Sequence, residues 1–504
     1  MHALPLDAAD MLLLRNVLIT FTLFILMSGC SSLQTDPPER NLPFIVPTTW
    51  EALSGSKASD KNEAHHSVEQ YFGIHFPGFN YSPLILNALQ GNYALHQLEI
   101  QLNAQKAKHQ LEKSRLWPSI TAGLDGQDTH IDNSSTALFA LQGNVSWTVD
   151  LWGSQNLLSQ AAKYSLEEAS LSWNAAQLSV AAAALQNWFD WQTRDKLHQL
   201  QEDFVRTLET TSRLVENRFD TGLASFLEVR LAHTEIALAR TDLLQRKTAE
   251  ITARSKLISL LGENFSFLEL FSEKAALQFN NKSQTTLPER AQALPTYLPA
   301  DIIRKRPDLL AAERHLKSEE LKLLSNKKAW LPSLNLTAST GRQNDSLSNL
   351  LKNGLSVSAI AFNLMQPIFN AGAIKAQQAQ ASASVSRELY VYSELLHKAM
   401  VEVNQFFQQD TTLEKQLKAA KFAAGLADET QTLARRDYNA GLINLNTFLD
   451  THRNRINTES RLLSSRNDWL QNRINLLLAL SANESLFFTH HKDNVIQAET
   501  ALGN

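Results

Sequence analysis

The chain has 504 residues and a formal net charge of −4, so it lacks the basic field that would recruit nucleic acid. Helix-forming residues are abundant, whereas glycine (17) and proline (14) are scarce, which favours long helices over a compact α/β domain. The single cysteine excludes an intramolecular disulfide and a cysteine-rich metal cluster.

The N-terminus carries an apolar run from Leu12 to Met27 that ends shortly before the cysteine, Cys30. The run is short for a membrane-spanning helix, which needs about 20 residues, and suits a signal-peptide core. Residues 26–30 (LMSGC) resemble the bacterial lipobox. This resemblance implies a lipoprotein signal peptide at 1–29 and a diacylglycerol and an N-acyl chain on Cys30. No aspartate follows Cys30, which by resemblance to enterobacterial lipoproteins implies the outer membrane. Translation starts at Met1 or Met11, and an ordinary signal peptide with an incidental cysteine is the alternative.

Prolines divide the rest of the chain. Six of them, with a polar stretch, lie within 31–83, and the segment 30–82 is therefore predicted to be extended and irregular. None lies between Pro118 and Pro288, and none follows Pro367. Because proline breaks helix interiors, these gaps permit very long helices.

A seven-residue repeat of apolar and aromatic side chains indicates that these helices form and pack closely. The repeat consists of Leu157, Tyr164, Leu171, Leu178 and Leu185. It predicts a continuous helix over 154–215, turning at Gly222 into an antiparallel partner. A second helical hairpin is predicted over 373–481, with its turn at Gly441.

Four short stretches alternate between apolar and polar residues and predict strands. They lie at 119–124, 138–150, 333–338 and 355–365, the last alternating less cleanly. Such segments suit a transmembrane barrel, or alternatively a soluble antiparallel sheet. Because four strands cannot close a water-filled barrel, a barrel would require several subunits.

The two halves of the chain repeat one another. Residues 117–119 (WPS) recur as 330–333 (WLPS), and residues 219–223 (FDTGL) recur as 438–442 (YNAGL). Each half therefore has the predicted order of helix, strand, strand and long helical hairpin. The predicted segments are the first repeat at 83–262, an inter-repeat linker at 263–298, the second repeat at 299–481 and a C-terminal tail at 482–504.

Several motifs carry a resemblance to a known family. They are residues 298–314 (LPADIIRKRPDLLAAER), 329–334 (AWLPSL), 145–153 (VSWTVDLWG) and 366–372 (QPIFNAG). In order and spacing, the chain resembles the outer-membrane efflux (TolC-like) family, in its lipoprotein branch that serves resistance-nodulation-division pumps. This resemblance implies a mainly α chain with a small β part. Three copies would form a twelve-stranded transmembrane barrel continuous with a long periplasmic α-helical coiled-coil barrel.

The resemblance also implies a function and partners. The chain would be the outer-membrane exit duct of a tripartite efflux system that exports small molecules such as drugs. It would be a homotrimer, lipid-anchored in the outer membrane with a large periplasmic part, and would bind a periplasmic adaptor and an inner-membrane transporter. It would not be an enzyme. The alternatives are a duct for protein secretion or metal ions, and a lipid-anchored periplasmic coiled-coil scaffold.

The family's narrowest point lies near the two helical turns, and its residues carry over one by one. By resemblance, Tyr438 and Glu228 would form the gate, and Asp450 the selectivity ring. Thr447 stands where some members carry a second aspartate, and Ile443 where some carry a gating arginine. The adaptor-docking tips implied by the family are Gly222, Leu223, Gly441 and Leu442.

Metal binding and catalysis are not expected from the sequence. The pairs His65-His66 and His490-His491 lack helical ligand spacing and neighbouring carboxylates. The chain contains no H-E-x-x-H motif, phosphate-binding glycine loop or nucleophile elbow. After the signal, methionine remains only at Met365 and Met400, which argues against copper export because thioethers suit copper(I).

Overall fold

A computed structural model describes residues 49–50, 72, 76, 81–131, 134–262, 287–288, 298–299 and 305–480. The predicted signal peptide, Cys30 and the C-terminal tail lie outside the described residues. So do most of the 30–82 segment and most of the 263–298 linker. Among the residues described, no helix is both long and apolar enough to cross a membrane.

The first repeat begins with two helices, continues with two strands and ends with a helical hairpin. In chain order the elements are α1 (Ser82–Gly91), α2 (Tyr93–Ser114), β1 (Ser119–Ile131), β2 (Ser134–Val149), α3 (Ser154–Asp220) and α4 (Phe226–Leu261). The helix α3 is continuous, as the seven-residue repeat predicts, and the carboxylate of Asp150 caps its start by accepting from the backbone N–H groups of Gln155 and Asn156.

The second repeat has the same order, except that a single long helix precedes its strands and a one-turn helix lies between them. Its elements are α5 (Pro307–Lys327), β3 (Ser333–Asn344), the one-turn helix α6 (Leu350–Asn353), β4 (Leu355–Met365), α7 (Ala373–Asn439) and α8 (Leu445–Leu480). Each repeat's hairpin pairs a 67-residue helix with a 36-residue helix. The prediction of a mainly α chain with a small β part and an internal repeat is therefore confirmed.

The four long strands form one antiparallel sheet in chain order, β1-β2-β3-β4. Its register pairs Ile120 with Val145, Val145 with Ala338 and Ala338 with Ile360. Strands β1, β2 and β3 are longer than predicted. Beyond Leu124 and Ala338 the apolar alternation is interrupted by glycine and charged residues, but the backbone ladder continues because hydrogen bonds between strands do not depend on side-chain polarity.

The chain divides into two compact units, each of which combines segments of both repeats. Among the described residues, the first contains 111–131, 134–161 and 317–389, including the sheet, and the second contains 81–110, 162–262, 305–316 and 390–480, including the helical turns. The second unit has two hydrophobic cores. One surrounds Phe189 and Leu470, and the other surrounds Phe204, Tyr438 and Phe448, close to the helical turns.

Candidate functional site: a two-faced sheet and two exposed helical turns

One face of the sheet is a continuous apolar band. Its members share a face because strand partners in register point the same way. They are Ile120, Leu124, Leu141, Val145, Trp147, Val149, Leu334, Leu336, Ala338, Ile360, Phe362 and Leu364. Many are exposed in the single chain, with Ile360 at 88% and Phe362 at 79%. An exposed apolar surface of this extent requires a partner or a lipid environment.

The opposite face is polar over most of the first three strands. It carries Ser119, Thr121, Gln142, Asn144, Ser146, Thr148, Asn335, Thr337, Ser339 and Gln343. Several of these side chains bond to one another across strands. The hydroxyl of Thr148 donates to the amide oxygen of Asn335 at 2.7 Å, and the hydroxyls of Ser119 and Ser146 lie 2.7 Å apart. The sheet therefore separates an apolar surface from a hydrated one.

Two tryptophans border the apolar band at one end of the sheet. The indole N–H of Trp147 donates to the carbonyl oxygen of Leu116 at 3.1 Å, and that of Trp152 donates to the carbonyl oxygen of Pro332 at 2.8 Å. Both rings keep a large apolar surface while their polar N–H groups are satisfied. Tryptophan in this setting is typical of the boundary between hydrocarbon and water.

The two helical turns are near copies of one another. At each turn the glycine has a φ of 75°, the left-handed region that glycine adopts without strain. The N–H of Leu223 donates to the carbonyl oxygen of Arg218 at 2.7 Å, and the N–H of Leu442 donates to that of Asp437 at 2.8 Å. With the glycine N–H bonded to the carbonyl three residues earlier, each turn is a Schellman cap.

The helices that follow the turns also begin alike. Ser225 caps α4, and its hydroxyl accepts from the N–H of Glu228 at 3.3 Å. Asn444 occupies the equivalent position before α8, where its side-chain oxygen accepts from the N–H of Thr447 at 2.9 Å. Each turn is therefore fixed on both sides by local hydrogen bonds, independently of any partner.

Leucines are exposed at both turns. Leu223 is 79% exposed and Leu442 is 75% exposed. A Cβ atom added at Gly222 or Gly441 would meet no other atom within 4 Å. Each turn therefore presents a glycine backbone and an apolar side chain to its surroundings, a geometry that suits docking. The docking role itself stays a prediction.

Tyr438, the predicted gate residue, is buried against residues of three helices. Its ring stacks on Phe448 of α8 with centroids 4.9 Å apart, and the guanidinium of Arg218 lies 4.6 Å from its centre. Arg218 also donates to the carbonyl oxygen of Tyr438 at 3.2 Å and to that of Asn439 at 3.3 Å. Burial raises the pKa of the Tyr438 hydroxyl, and Glu228 adds to this while Arg218 opposes it.

Glu228, the predicted acidic partner of Tyr438, forms local hydrogen bonds. Its carboxylate accepts from the backbone N–H of Ser225 at 2.7 Å and from the Ser225 hydroxyl at 3.2 Å, which completes a capping box. Within the chain, Glu228 affects Tyr438 through its charge, whereas Arg218 is the charged residue that contacts the tyrosine ring.

Asp450, the predicted ring residue, is exposed and forms an ion pair with Arg453 one turn later. Arg453 also reaches Glu235 of α4 at 3.0 Å, so the arginine bridges the two hairpins. The hydrogen bond that Arg453 donates to the Asp450 carboxylate is the main cause that raises the pKa of Arg453. The sequence predicts a ring of three Asp450 carboxylates that repel one another, whereas in the structure Asp450 shares one arginine, Arg453, with Glu235. Thr447 is exposed on the first turn of α8, about one turn before Asp450.

Arg218 and Arg453 are the site residues that sequence reasoning missed. A sequence signal existed for Arg218, because it lies four residues before Gly222, where the other repeat has Asp437 before Gly441. This charge reversal between equivalent positions indicates that the two turns differ in role. In the described part of the chain, no group of three or more histidine, cysteine or acidic residues is placed to hold a metal ion.

A protein-family model and several known proteins are similar to this chain. A family model described as outer membrane efflux protein matches residues 84–263 and 298–482. A probable efflux pump outer membrane protein of Pseudomonas putida, TtgC, is 26% identical over 480 residues, which cover 92% of this chain and 94% of the relative. The outer membrane protein OprJ of Pseudomonas aeruginosa is 24% identical over 379 residues, 73% of this chain and 77% of the relative.

Solved structures share the fold. The outer membrane channel CmeC of Campylobacter jejuni superposes with a TM-score of 0.77 at 18% identity, covering 91% of this chain and 97% of that one. The open-state outer membrane channel MtrE of Neisseria gonorrhoeae superposes with a TM-score of 0.70 at 20% identity, covering 86% and 97% respectively. At these identities the likeness establishes the architecture.

Proposed function

Because the chain belongs to the outer membrane efflux protein family, we propose that it is the outer-membrane exit duct of a tripartite efflux system, exporting small molecules such as drugs. Family membership confirms the resemblance carried by the sequence motifs. The family consists of efflux channels rather than enzymes. The duct function requires no catalytic group, since a wide polar passage in place of hydrocarbon lowers the barrier for solute transfer.

The two-faced sheet carries this proposal. Its apolar face suits the hydrocarbon of a membrane, and its polar face suits a water-filled lumen. Strand β4 is exposed along its whole length, and β1 and β4 are each paired on one side within the chain. Unpaired strand edges are not tolerated in lipid, so β1 of one copy must pair with β4 of another until the sheet closes. By the pattern of the family, three copies would close the sheet with twelve strands, and we therefore propose a homotrimer.

The helical turns supply the proposed gate. In three copies, the exposed Asp450 would line the narrowest ring with Thr447 nearby, and Tyr438, which is buried within its own chain, would form the gate with Glu228 by fixing the position of the turns. Because Arg453 pairs with Asp450 in each chain, the ring would carry less net negative charge than three free carboxylates. Cation preference at the gate would then depend on how Arg453 divides its hydrogen bonds between Asp450 and Glu235.

The proposed partners follow from the exposed turns. The periplasmic adaptor would dock on Leu223 and Leu442, and would connect the duct to an inner-membrane transporter. Relatives named as antibiotic and toluene efflux pump components support small organic molecules as cargo. A diacylglycerol and an N-acyl chain on Cys30 would anchor the protein in the outer membrane, with a large periplasmic part. A coiled-coil scaffold would leave the two-faced sheet without a role.

The test is the ionic conductance of membrane-extracted, trimeric protein in a planar lipid bilayer. We expect small, stable, cation-preferring current steps, and Asp450→Asn should lower the cation preference while leaving the trimer intact. Asp428→Asn is the matched control, because Asp428 is also an exposed acid paired with an arginine, Arg455, at 2.6 Å. An equal effect of the two substitutions would refute the ring at Asp450. Absence of current from correctly assembled trimers, with the adaptor present, would refute the duct.

A further inference from the structure

The polar face of the sheet is nearly free of ionisable groups. Across the four described strands, Asp125 is the one acidic or basic side chain on this face, and the other members are serine, threonine, asparagine, glutamine, glycine or apolar residues. A single fixed charge on an otherwise neutral surface dominates the local electrostatic potential. The position of Asp125 therefore decides which ions this face favours.

The carboxylate of Asp125 lies on the polar face of the sheet. The residue lies in the middle of β1 and is exposed. Its carboxylate accepts from the amide nitrogen of Gln142 on β2 at 3.0 Å, a neutral donor. The strand register places Ala140, Gln343 and Leu355 in the same row, so no cation of that row compensates the carboxylate.

The apolar face has a different charge pattern. Its ionisable residues in the described strands are Asp128, His130 and Arg342, towards the end of the sheet away from the tryptophans. They carry both signs, and the His130 ring lies 3.7 Å from the carboxylate of Asp128. A mixed cluster at this border suits lipid headgroups and water, and it contributes little net field to the opposite face.

We propose that Asp125 is a specificity-determining residue of the strand-lined section, where three copies form an acidic ring that favours cations and neutral solutes over anions. This inference rests on the proposed function, because it requires the polar face to enclose water. Low-dielectric hydrocarbon behind the strands concentrates the field of the ring in the lumen. The Debye length is about 10 Å at 0.1 M salt, so the preference is present in dilute salt and lost near 1 M.

The ring also limits the chemistry of the exported molecules. A protonated amine crosses this section in a favourable potential, whereas a multiply charged anion meets repulsion where the wall offers no compensating arginine or lysine. The serine, threonine and amide side chains around Asp125 provide hydrogen bonds to polar groups of either kind. Organic cations and neutral compounds are therefore the cargo that this section favours.

The experiment measures the reversal potential of planar-bilayer currents in a KCl gradient, in an Asp450→Asn background, so that the gate ring contributes less. We expect Asp125→Asn to lower the potassium-to-chloride permeability ratio by about twofold in dilute salt. Asp128→Asn is the matched control: it removes the same charge from the same strand three residues away, on the other face. Its permeability ratio should equal that of the parent.

A second variant tests the charge itself. Asp125→Cys should lose the preference, an anionic methanethiosulfonate reagent should restore it, and a cationic one should reverse it, with the untreated and treated parent as controls. Equal permeability ratios in Asp125→Asn and the parent, or equal losses in Asp125→Asn and Asp128→Asn, would overturn the role of Asp125 while leaving the duct intact. Absence of current from correctly assembled parent trimers, with the adaptor present, would instead refute the duct, and the inference with it.

Discussion

Arg218 holds Tyr438 in place across the two repeats. The guanidinium lies 4.6 Å from the centre of the tyrosine ring and donates to the carbonyl oxygens of Tyr438 and Asn439 at the end of α7. One arginine from the first repeat thus satisfies the last carbonyls of the long helix of the second, where a cation is also favoured by the helix dipole. The contact joins the two turns within one chain.

Replacing Arg218 should loosen the turns without unfolding the chain. Arg218→Ala removes the contact with the Tyr438 ring and two hydrogen bonds to helix-terminal carbonyls, so we expect a larger and less stable single-channel conductance, with thermal stability lowered by about 1–2 kcal/mol. Arg213→Ala is the control, because Arg213 is an exposed arginine on the same helix. Identical conductance in the two variants would show that Arg218 does not restrain the turns.

Substitution of the exposed leucines at the turns should weaken docking without affecting folding. Leu223→Gln and Leu442→Gln change a side chain that is mostly exposed, so stability should change by less than about 0.5 kcal/mol. Loss of the apolar contact should nevertheless weaken adaptor binding and raise the drug sensitivity of cells. Gly222→Ala instead places an alanine at a φ of 75° and should cost about 1 kcal/mol of stability. Unchanged adaptor binding and drug sensitivity in a Leu223→Gln, Leu442→Gln double variant would contradict docking at the turns.

Local sequence signals account for the parts of the fold that could be predicted. The Gly-Leu pairs at 222–223 and 441–442 satisfy the requirement for a left-handed residue, so both turns were located to the residue. The absence of proline predicts α3 and α7, and the seven-residue repeat supports α3 further. Strand ends were predicted less well, because the outer halves of β1 and β3 lack clean alternation while their backbone ladder continues.

Contacts between distant segments could not be predicted. Arg218 and Tyr438 are 220 residues apart in sequence, and nothing near either residue specifies the other. The ion pair of Arg453 with Glu235 joins residues 218 apart. Such pairs depend on how the hairpins pack, which the repeat pattern leaves open. The predicted gate residues lie at or near the two turns and their gating role stays a prediction, but their partners within the chain could not be foreseen.

A buried histidine near Tyr438 predicts an acid-sensitive turn region. His452 is 3% exposed, and its ring packs on Phe448 with centroids 5.0 Å apart. The amide nitrogen of Gln431 lies 2.8 Å from the ring nitrogen Nε2, which accepts when the ring is neutral. Burial, followed by the nearby charges of Arg435 and Arg455, lowers the pKa of His452 from 6.5 to about 4.

Acid should destabilise the folded chain through His452. The unfolded chain takes up a proton at His452 near pH 6.5, whereas the folded chain resists it until about pH 4. Stability from this residue is therefore full above pH 6.5 and falls as the pH drops to about 4, by up to about 3 kcal/mol. Between pH 7 and 4, the unfolding temperature of His452→Gln should depend less on pH than that of the parent. His233→Gln, at the equivalent exposed position of the first repeat, should retain it, and equal slopes in all three proteins would contradict the assignment.

The two hairpins carry a tryptophan and an acid at equivalent positions, but in reversed order. In the first, the indole N–H of Trp191 on α3 donates to the carboxylate of Glu250 on α4 at 3.1 Å. In the second, the acid is Asp410 on α7 and the tryptophan is Trp469 on α8. Asp410 forms a buried ion pair with Arg473 at 2.6 Å. Each hairpin thus has a polar contact at the same height along its helices. In the first hairpin this contact is a hydrogen bond from an indole to a carboxylate, and in the second it is an ion pair.

Breaking this buried pair should cost more than breaking an exposed one. Asp410→Ala leaves the Arg473 guanidinium in a site where its side chain is 9% exposed, so we expect a loss of about 3 kcal/mol in the free energy of unfolding. Lys418→Ala, which breaks an exposed pair with Glu414 on the same helix, should cost less than about 0.5 kcal/mol. Denaturant unfolding followed by helical circular dichroism measures both.

Because a buried ion pair can be replaced by apolar side chains at little cost, the double variant Asp410→Leu, Arg473→Met should regain most of the loss. A double variant as unstable as Asp410→Ala would show that the pair is required for the packing of α7 on α8, beyond the neutralisation of one charge by the other.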